Sequence, residues 1–193
     1  MSPTQPDLFG PRAGWPEGLV YEPAFLTPEE EAHWIAVVQA LPLREADYKG
    51  HTARRRVASY LTRYDFDGNR LHAGEPLPQA LAALVERVAQ WMGVAPGTIA
   101  HVLVAEYRPG TPLGWHRDVP SFERIAGVSL AADALLRLRR YPPVARAPTL
   151  DLTLEARSIY GLAGEARWGW QHAVPPVPAL RYSITCRTRV RRG

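Results

Sequence analysis

Residues 181–189 read RYSITCRTR, a stretch in which residue types alternate along the chain. Successive side chains of a β-strand point to opposite faces of the sheet, so this alternation sorts the stretch into two faces. One face holds side chains that suit a hydrophobic core: Tyr182, Ile184, Cys186 and Thr188. The other face holds two arginines and two hydroxyl side chains: Arg181, Ser183, Thr185 and Arg187. We therefore predict a strand with one face in the core and one polar face.

Short strands separated by turn residues precede this one throughout the second half of the chain. Together with the last strand, the predicted segments are 99–107, 127–130, 135–139, 149–154, 158–162 and 181–190. Two segments with helical spacing of apolar residues come before them. The first begins at a capping box formed by Thr27 and Glu30 and runs to about Leu41, and the second follows Pro78 and stops at Gly93.

The order of these elements indicates an α+β fold that is mainly β. Helices followed by a run of strands are typical of an antiparallel jelly roll with helices that buttress one face. Residues 54–67 predict an earlier strand or hairpin that extends over one end of the barrel as a lid. Prolines and glycines are frequent in residues 1–20, which predicts a flexible N-terminal tail and leaves 21–193 as a single domain.

The composition is that of a globular protein of one domain. The 193 residues are 46% hydrophobic and 22% charged, which allows a sizeable core. A single cysteine cannot form an internal disulfide, and no apolar run is long enough to span a membrane, so we expect a soluble cytoplasmic protein. The net charge of +4 suits a polyanionic partner. However, this basicity is almost all arginine, and a codon preference for arginine would produce the same charge.

The segment EYRPGTPLGWHRDVP, residues 106–120, places His116 and Asp118 two positions apart. In an extended segment these side chains share a face and form one chelating edge. His172 follows in a later motif, WGWQHAVPP, where a jelly roll can bring it opposite the pair. Two imidazoles and one carboxylate on one face of an octahedron are the ligand set of non-haem iron oxygenases. Solvated loop histidines are the alternative interpretation.

The arginines of the last strand add to this hypothesis. Arg181 and Arg187 lie on one face, and burying two guanidinium groups without partners is strongly unfavourable. A bound dianion would neutralise both of them. The alternative is a solvated edge strand whose arginines face water.

The three motifs YRPG…HRD, WQHAVPP and RYSITCR, in this order, resemble the AlkB-like branch of the 2-oxoglutarate oxygenases. The resemblance covers roughly residues 21–189. It implies a double-stranded β-helix, the jelly roll of this family, with Fe(II) held by His116, Asp118 and His172. It also implies 2-oxoglutarate as the cosubstrate and O2 as the oxidant. Members of the family oxidise N-alkyl groups on nucleic-acid bases or, in some branches, protein substrates.

The resemblance also implies which residues bind the cosubstrate. Arg181 is expected to pair with the distal carboxylate of 2-oxoglutarate, and Tyr107 to donate a hydrogen bond to it. Arg187 matches the family's second arginine, near the metal end of the cosubstrate. Ser183 and Ala105 stand where many relatives have asparagines, which weakens the polar contacts while the charge pairing survives.

The lid segment offers a basic and aromatic surface for a nucleic-acid strand. We expect Arg54, Arg55 and Arg56 to contact phosphates, and three aromatic side chains to line the substrate pocket: Tyr60, Tyr64 and Phe66. A solvated turn that leads into a strand with core aromatics is the alternative. Pro120 stands where well-studied repair members carry an acidic residue that helps to recognise the lesion base. The base preference is therefore expected to differ, or the substrate not to be a base.

The N-terminal tail carries the sequence QPDLF at residues 5–9. This resembles the peptide with which bacterial replication and repair proteins dock on the sliding clamp, and the expected docking residues are Gln5, Leu8 and Phe9. The alternative is a tail that packs Leu8 and Phe9 on its own domain.

The primary hypothesis is an AlkB-like dioxygenase that oxidatively demethylates alkylated bases in single-stranded DNA or RNA, as part of DNA repair in a bacterial cytoplasm. One rival is an oxygenase with the same chemistry that acts on a protein side chain or a small molecule. The other rival is a non-catalytic nucleic-acid or clamp-binding module that has kept the barrel. The presence of three metal ligands and two arginines argues against this second rival.

Overall fold

The structure is a computed structural model that describes residues 14–48, 51–65, 68 and 70–190. Most of the strands in this part of the chain belong to two antiparallel sheets that face each other. The larger sheet has seven strands and the smaller sheet has four. Two sheets of this kind, packed face to face, form the jelly roll that the sequence predicts.

Seven strands form the larger sheet. They are β1 (Leu19–Glu22), β2 (Arg44–Tyr48), β3 (His51–Tyr60), β6 (Ile99–Tyr107), β8 (Phe122–Leu130), β11 (Ile159–Leu162) and β13 (Arg181–Arg189). The predicted last strand, β13, lies at the centre, between β6 and β8. Its apolar residues Ile184 and Cys186 are fully buried, as predicted. The strand predicted to start at Gly127 begins earlier, at Phe122.

Four strands form the smaller sheet. They are β7 (Leu113–His116), β9 (Ala134–Arg140), β10 (Leu150–Leu154) and β12 (Trp170–Val174). The strand order is β1-β11-β8-β13-β6-β3-β2 in the larger sheet and β10-β9-β12-β7 in the smaller sheet. The inner face of this sheet packs through Leu136 and Leu138 against the inner face of the larger sheet, where Tyr107 and Ile125 lie. β7 and β12 carry the histidines of the two motifs, so both motifs enter the barrel as paired strands.

The helices pack on the outer face of the larger sheet. α1 (Pro28–Gln39) begins at the predicted capping box, and α2 (Ala82–Trp91) is followed by Gly93 at a φ of 66°. Their residues Val38 and Val88 join the core that contains Ile184. The two predicted helices and their buttressing position are therefore confirmed. None of the helices in the described residues is long and apolar enough to cross a membrane.

A third helix, α3 (Gly164–Trp168), was not predicted. Five residues are too few for a helical periodicity to be visible in a sequence. The predicted helix content was therefore too low at this point.

The expected tail at 1–20 ends before residue 20, because Leu19 and Val20 already pair with β11. Gly18, which the sequence analysis counted among the residues that disfavour structure, has a φ of 84°. A side chain there would collide with the Ala163 carbonyl, so the glycine permits close backbone contact. The remaining expectation for the tail, including Gln5, Leu8 and Phe9, falls on residues 1–13, outside the described residues.

The predicted lid segment is divided between two sheets. β3 is an inner strand of the larger sheet, paired with β2 and β6. β4 (Thr62–Asp65) leaves that sheet and pairs with β5 (Arg70–Ala73) as a separate hairpin. In the described part of the segment, β4 therefore lies outside the larger sheet, whereas β3 is part of it.

Candidate metal centre

His116, Asp118 and His172 meet at one end of the smaller sheet. β7 ends at His116, and His172 of β12 is its direct cross-strand partner. The two imidazole rings have centroids 4.2 Å apart. One possible ligand atom from each of the three residues lies within 4.8 Å of the others. The structure thus brings together the three side chains that the sequence motifs selected.

The donor atoms of this cluster fit a divalent transition metal. The Asp118 side chain is 5% exposed, and its Oδ2 makes no hydrogen bond within the described residues, although it lies 3.6 Å from Nε2 of His172. Nδ1 of His116 donates to the Gly114 carbonyl at 2.8 Å, which leaves Nε2 with a free lone pair. A buried carboxylate oxygen without a partner is unfavourable, and a cation shared with two imidazoles would satisfy it.

The electrostatics of the cluster keep the ligands in the protonation states that a metal requires. Burial lowers the pKa of His116, and lowers that of His172 to about 3, because an imidazolium would lose its hydration. Burial alone would raise the pKa of Asp118, but the Arg187 guanidinium and the two histidines hold it well below its usual range. Two neutral imidazoles and a carboxylate therefore face each other at neutral pH.

Arg187 connects the metal cluster to the larger sheet. Its Nε donates to Oδ1 of Asp118 at 2.6 Å, and its guanidinium donates to Nδ1 of His101 at 3.1 Å. Because arginine only donates, the proton of the His101 ring is on Nε2, which donates to Ser59 at 2.9 Å. Burial lowers the pKa of His101 to about 3, in agreement with a neutral ring. His101 was not among the residues predicted from the sequence, because its position follows from its pairing with Arg187 across β6 and β13.

Arg181 lies at the other end of the same face of β13 and is 2% exposed. Its Nε donates to Ser129 at 3.0 Å, and its guanidinium carbon lies 5.1 Å from the ring centroid of Tyr107. No carboxylate in the described part of the chain lies within ion-pair distance of it. A buried guanidinium with so few partners favours a bound anion.

Small side chains line the sheet between these two arginines. Ala105, Ser183 and Ser129 share one register row, and Thr185 and Gly127 share the next row with the larger Leu103. Ser183 therefore lies between the two arginines, as the strand alternation predicted. The floor between the arginines consists mostly of small residues, and the cation without a carboxylate partner among the described residues, Arg181, lies at one end. Arg187, paired with Asp118, lies at the other end, so the floor suits a dicarboxylate whose far carboxylate meets Arg181.

Tyr160 also reaches this region, and sequence analysis did not select it. A side chain at position 127 would collide with its ring, so Gly127 is needed for the ring to lie across β8. Burial raises the pKa of Tyr160 to about 12, and its hydroxyl has no hydrogen bond within the described residues. Nothing short of the strand register could have placed this tyrosine near Asp118 and Arg181.

Arg167 of α3 holds the loop that carries Asp118. It is buried and donates to three backbone carbonyls at 2.9–3.1 Å, those of Asp118, Val119 and Phe122. These contacts fix the backbone at the metal ligand and in the residues that follow it. Sequence analysis missed this residue because the helix that carries it was not predicted.

The expected substrate residues of the lid segment separate between the two faces of β3. Arg55 points to the barrel interior and donates to the Tyr107 hydroxyl at 3.5 Å. Arg56 points to the other face, where it pairs with Glu106 at 3.2 Å. Tyr60 shares that face and is 5% exposed in the core under the helices, so the expectation that it lines the substrate pocket is wrong. Strand alternation is the physical reason.

Three expected lid residues remain: Arg54, Tyr64 and Phe66. Tyr64 lies in β4 and is partly buried. The side chain of Arg54 and the whole of Phe66 fall outside the described residues. Among the described lid residues, Arg55 contacts Tyr107, which is expected to bind the cosubstrate.

The sequence matches the profile of the 2OG-Fe(II) oxygenase superfamily over residues 18–189. Among curated relatives, it is 30% identical to "Alkylated DNA repair protein ALKBH8 homolog" of Arabidopsis thaliana, over 82% of this chain and 51% of the relative. It is 27% identical to "tRNA (carboxymethyluridine(34)-5-O)-methyltransferase alkbh8" of Xenopus tropicalis, over 83% of this chain and 26% of that protein. The chain thus spans about half or less of the length of these relatives.

Solved structures confirm the double-stranded β-helix. OsALKBH1 superposes with a TM-score of 0.69 at 17% identity, over 89% of this chain and 97% of that chain. An oxidoreductase of the 2OG-Fe(II) oxygenase family from Burkholderia pseudomallei gives 0.60 at 17% identity, over 89% of this chain and 85% of that chain. At this identity the likeness concerns the fold alone.

Proposed function

The chain belongs to the 2OG-Fe(II) oxygenase superfamily, and on that premise we propose that it is an AlkB-like dioxygenase that demethylates N-alkylated bases in single-stranded DNA or RNA. The family uses Fe(II), 2-oxoglutarate and O2. The observation that carries the proposal is the convergence of His116, Asp118 and His172 at one end of a face that holds the buried, unneutralised Arg181 at the other.

Three side chains would hold the iron: His116, Asp118 and His172. When bound, the iron and 2-oxoglutarate supply the oxidation of a substrate C–H bond by O2. The protein holds Asp118 in place through Arg187 on its carboxylate and Arg167 on its backbone carbonyl. Such fixed contacts keep the ligands in position without a rearrangement when the metal enters.

The cosubstrate would lie across the small-residue floor of the larger sheet. Arg181 offers its guanidinium to the distal carboxylate of 2-oxoglutarate, and Tyr107 offers its hydroxyl to the same group. Ser129 orients Arg181 by accepting from its Nε at 3.0 Å. Ser183 lies between the two arginines, and Arg187, paired with Asp118, stands at the metal end. Buried contacts of this kind exclude water from the reacting atoms.

A nucleic acid is the proposed substrate for two reasons. The curated relatives have names that refer to alkylated DNA repair and to tRNA modification. In this chain, Arg55 brings a cation to the barrel interior without a carboxylate partner among the described residues. Single-strand binding sites combine such cations with aromatic platforms.

The experiment uses the full chain with Fe(II), ascorbate and 2-oxoglutarate. We expect formaldehyde and succinate from methylated single-stranded oligonucleotides, and neither product from His172→Ala. Formaldehyde from methylated peptides alone would support the rival that acts on protein. That rival is favoured by Pro120, which replaces the acidic residue that repair members use. Absence of 2-oxoglutarate turnover with every substrate would contradict the proposal and support the rival hypothesis of a non-catalytic binding module.

The sliding clamp is a separate proposed partner in the cytoplasm. The QPDLF peptide at residues 5–9 is the feature that supports it. We expect calorimetry to detect clamp binding by the full chain and no binding after Leu8 and Phe9 are both replaced by alanine. Unchanged affinity in the double variant would contradict docking through these two residues.

A further inference from the structure

Arginines and aromatic side chains gather where three strands of the smaller sheet end. β7 ends at His116 and β9 ends at Arg140, while β12 begins at Trp170, the cross-strand partner of Arg140. These strand ends therefore lie at the metal end of the sheet. We call the surface around them the rim, and define it by Trp115, Arg117, Arg139, Arg140, Tyr141 and Arg146.

Ring contacts orient three of the rim arginines, and the longest of these contacts is that of Arg140, whose guanidinium carbon lies 5.3 Å from the ring centroid of Trp170. The guanidinium carbon of Arg117 lies 3.6 Å from the ring centroid of Tyr141, and that of Arg139 lies 4.2 Å from the ring of Trp115. A guanidinium stacked on a ring keeps its N–H edges free for other partners. Tyr141 itself is 42% exposed, which is unusual for a large aromatic side chain.

The charges of the rim are largely uncompensated. Arg139 donates to the neutral Gln171 side chain at 2.9 Å, and Arg117 donates to the Trp168 carbonyl at 3.0 Å. Arg146 has no hydrogen bond or ion pair of its side chain within the described residues. Arg140 is the rim arginine with a carboxylate, Glu165, at 3.5 Å within the described part of the chain.

Arg137 shows the opposite arrangement on the same strand. It lies two residues before Arg139 on the same outer face, and Asp151 accepts from its Nε and Nη2 at 2.8 Å each. A bidentate pair of this kind leaves little net charge for a partner. On the outer face of β9, the arginine without a carboxylate partner among the described residues is thus Arg139, at the metal end of the strand.

We infer that the rim binds the phosphates and bases of the nucleotides that flank the one entering the metal site. This rests on the proposed function, because it takes the substrate to be a single-stranded nucleic acid. Leu138 is the cross-strand partner of His172, so Arg139 and Arg140 follow the metal ligands by about 3 to 7 Å along the strand. Arg139 points to the outer face of the sheet, so a nucleic-acid strand would pass from the metal site over the strand ends to reach it. A groove of about 310 Å³ between Trp115, Arg139 and Arg146 offers room beside a stacking ring.

The test measures binding of the full chain to a fluorescein-labelled oligothymidylate of about twelve nucleotides, within the site size of single-strand binders, and to the matching oligouridylate. Fluorescence anisotropy is recorded over a series of salt concentrations. Arg146→Glu and Arg139→Ala are each expected to weaken binding about fivefold or more. Together they should reduce the salt slope by about 1.4, because each lost phosphate contact on a single strand removes about 0.7.

Arg137→Ala is the matched control and is expected to keep the affinity and slope of the wild type. Thermal unfolding shows whether each variant is folded, and the exposed Arg146 keeps the test valid if Arg139→Ala fails to fold.

Wild-type affinity and slope in both rim variants would overturn the inference alone and leave the proposed function standing. No oligonucleotide binding by the wild type would remove the nucleic-acid substrate itself. Equal binding of polyglutamate would also overturn the inference, since the surface would then select charge only.

Discussion

The two ends of the polar face of β13 differ in how a buried guanidinium is neutralised. Arg187 has an anion of this chain beside it, because Asp118 accepts from its Nε at 2.6 Å. Arg181 is also buried, yet its contacts are a serine hydroxyl and the ring of Tyr107. A buried cation without an anion is unfavourable. One end is therefore complete within the protein, while the other is suited to an anion from outside.

Removal of Asp118 should produce the largest effect, because it removes the anion that neutralises the buried Arg187. Asp118→Ala leaves the Arg187 guanidinium buried and unpaired, so we expect a loss of about 3 to 5 kcal/mol in the free energy of unfolding. Turnover of 2-oxoglutarate should fall below detection. Urea unfolding of the metal-free protein and a succinate assay measure the two effects. Asp118→Asn keeps an acceptor for Arg187 and should lose turnover with less destabilisation; equal stability of Asp118→Ala and wild type would contradict the comparison.

Removal of the Arg181 charge should weaken the binding of 2-oxoglutarate without lowering the free energy of unfolding. Arg181→Met is expected to raise the KM for 2-oxoglutarate about a hundredfold, since a buried charge pair is worth about 2 to 5 kcal/mol to a bound partner. The free energy of unfolding of the ligand-free protein should stay equal or increase, because the unpaired cation is gone. Arg181→Lys, which keeps the charge without the fork, should fall between. An unchanged KM in Arg181→Met would show that the anion binds elsewhere.

Acidification should lower the free energy of unfolding, because the buried His101 ring next to Arg187 is neutral in the folded protein. Its folded pKa of about 3 lies below the ordinary value of 6.5, so the unfolded chain takes up the proton more readily. The stability contributed by the neutral ring is present above pH 6.5 and is lost as the pH falls towards 3. Between pH 7 and pH 5 we expect the wild type to lose about 2 kcal/mol more than His101→Gln. Parallel losses in urea unfolding would contradict a buried neutral ring.

The smallest expected effect concerns the hold of His101 on Arg187. His101→Phe keeps a ring against Phe122 but cannot accept from the guanidinium, so Arg187 should orient Asp118 less well. We expect about tenfold weaker binding of Mn(II), the lower end for a residue that supports a ligand. The electron paramagnetic resonance signal of free Mn(II) measures it. His101→Gln keeps an acceptor and should restore the affinity; identical affinities for the two variants would contradict the positioning role.

Much of the fold could be predicted because the sequence signals of strands and helices lie in residues that are close together in the chain. The capping box at Thr27, the stop at Gly93 and the alternation in β13 each depend on neighbours in the sequence, and each prediction is confirmed. Strand alternation also predicts that the side chains of β3 divide between the two faces of the sheet. Arg55 and Tyr60 differ in parity, so one strand cannot point both into the same pocket.

The other misses had no local signal. A helix of five residues, such as α3, shows no periodicity, and the strand at Leu19 follows a segment rich in glycine and proline. Packing against distant strands stabilises both elements. Propensity alone could not have placed either of them.

The sequence by itself determined the chemical inventory and its sorting onto faces. The ligand types His116, Asp118 and His172, and the shared face of Arg181 and Arg187, follow from residue identity and a period of two. The tertiary structure decided which groups satisfy each other: His101 and Asp118 with Arg187, Ser129 with Arg181, and Tyr160 over Gly127. These partners come from different strands, and the register between strands is set by the packing of whole faces, which no short stretch of sequence contains.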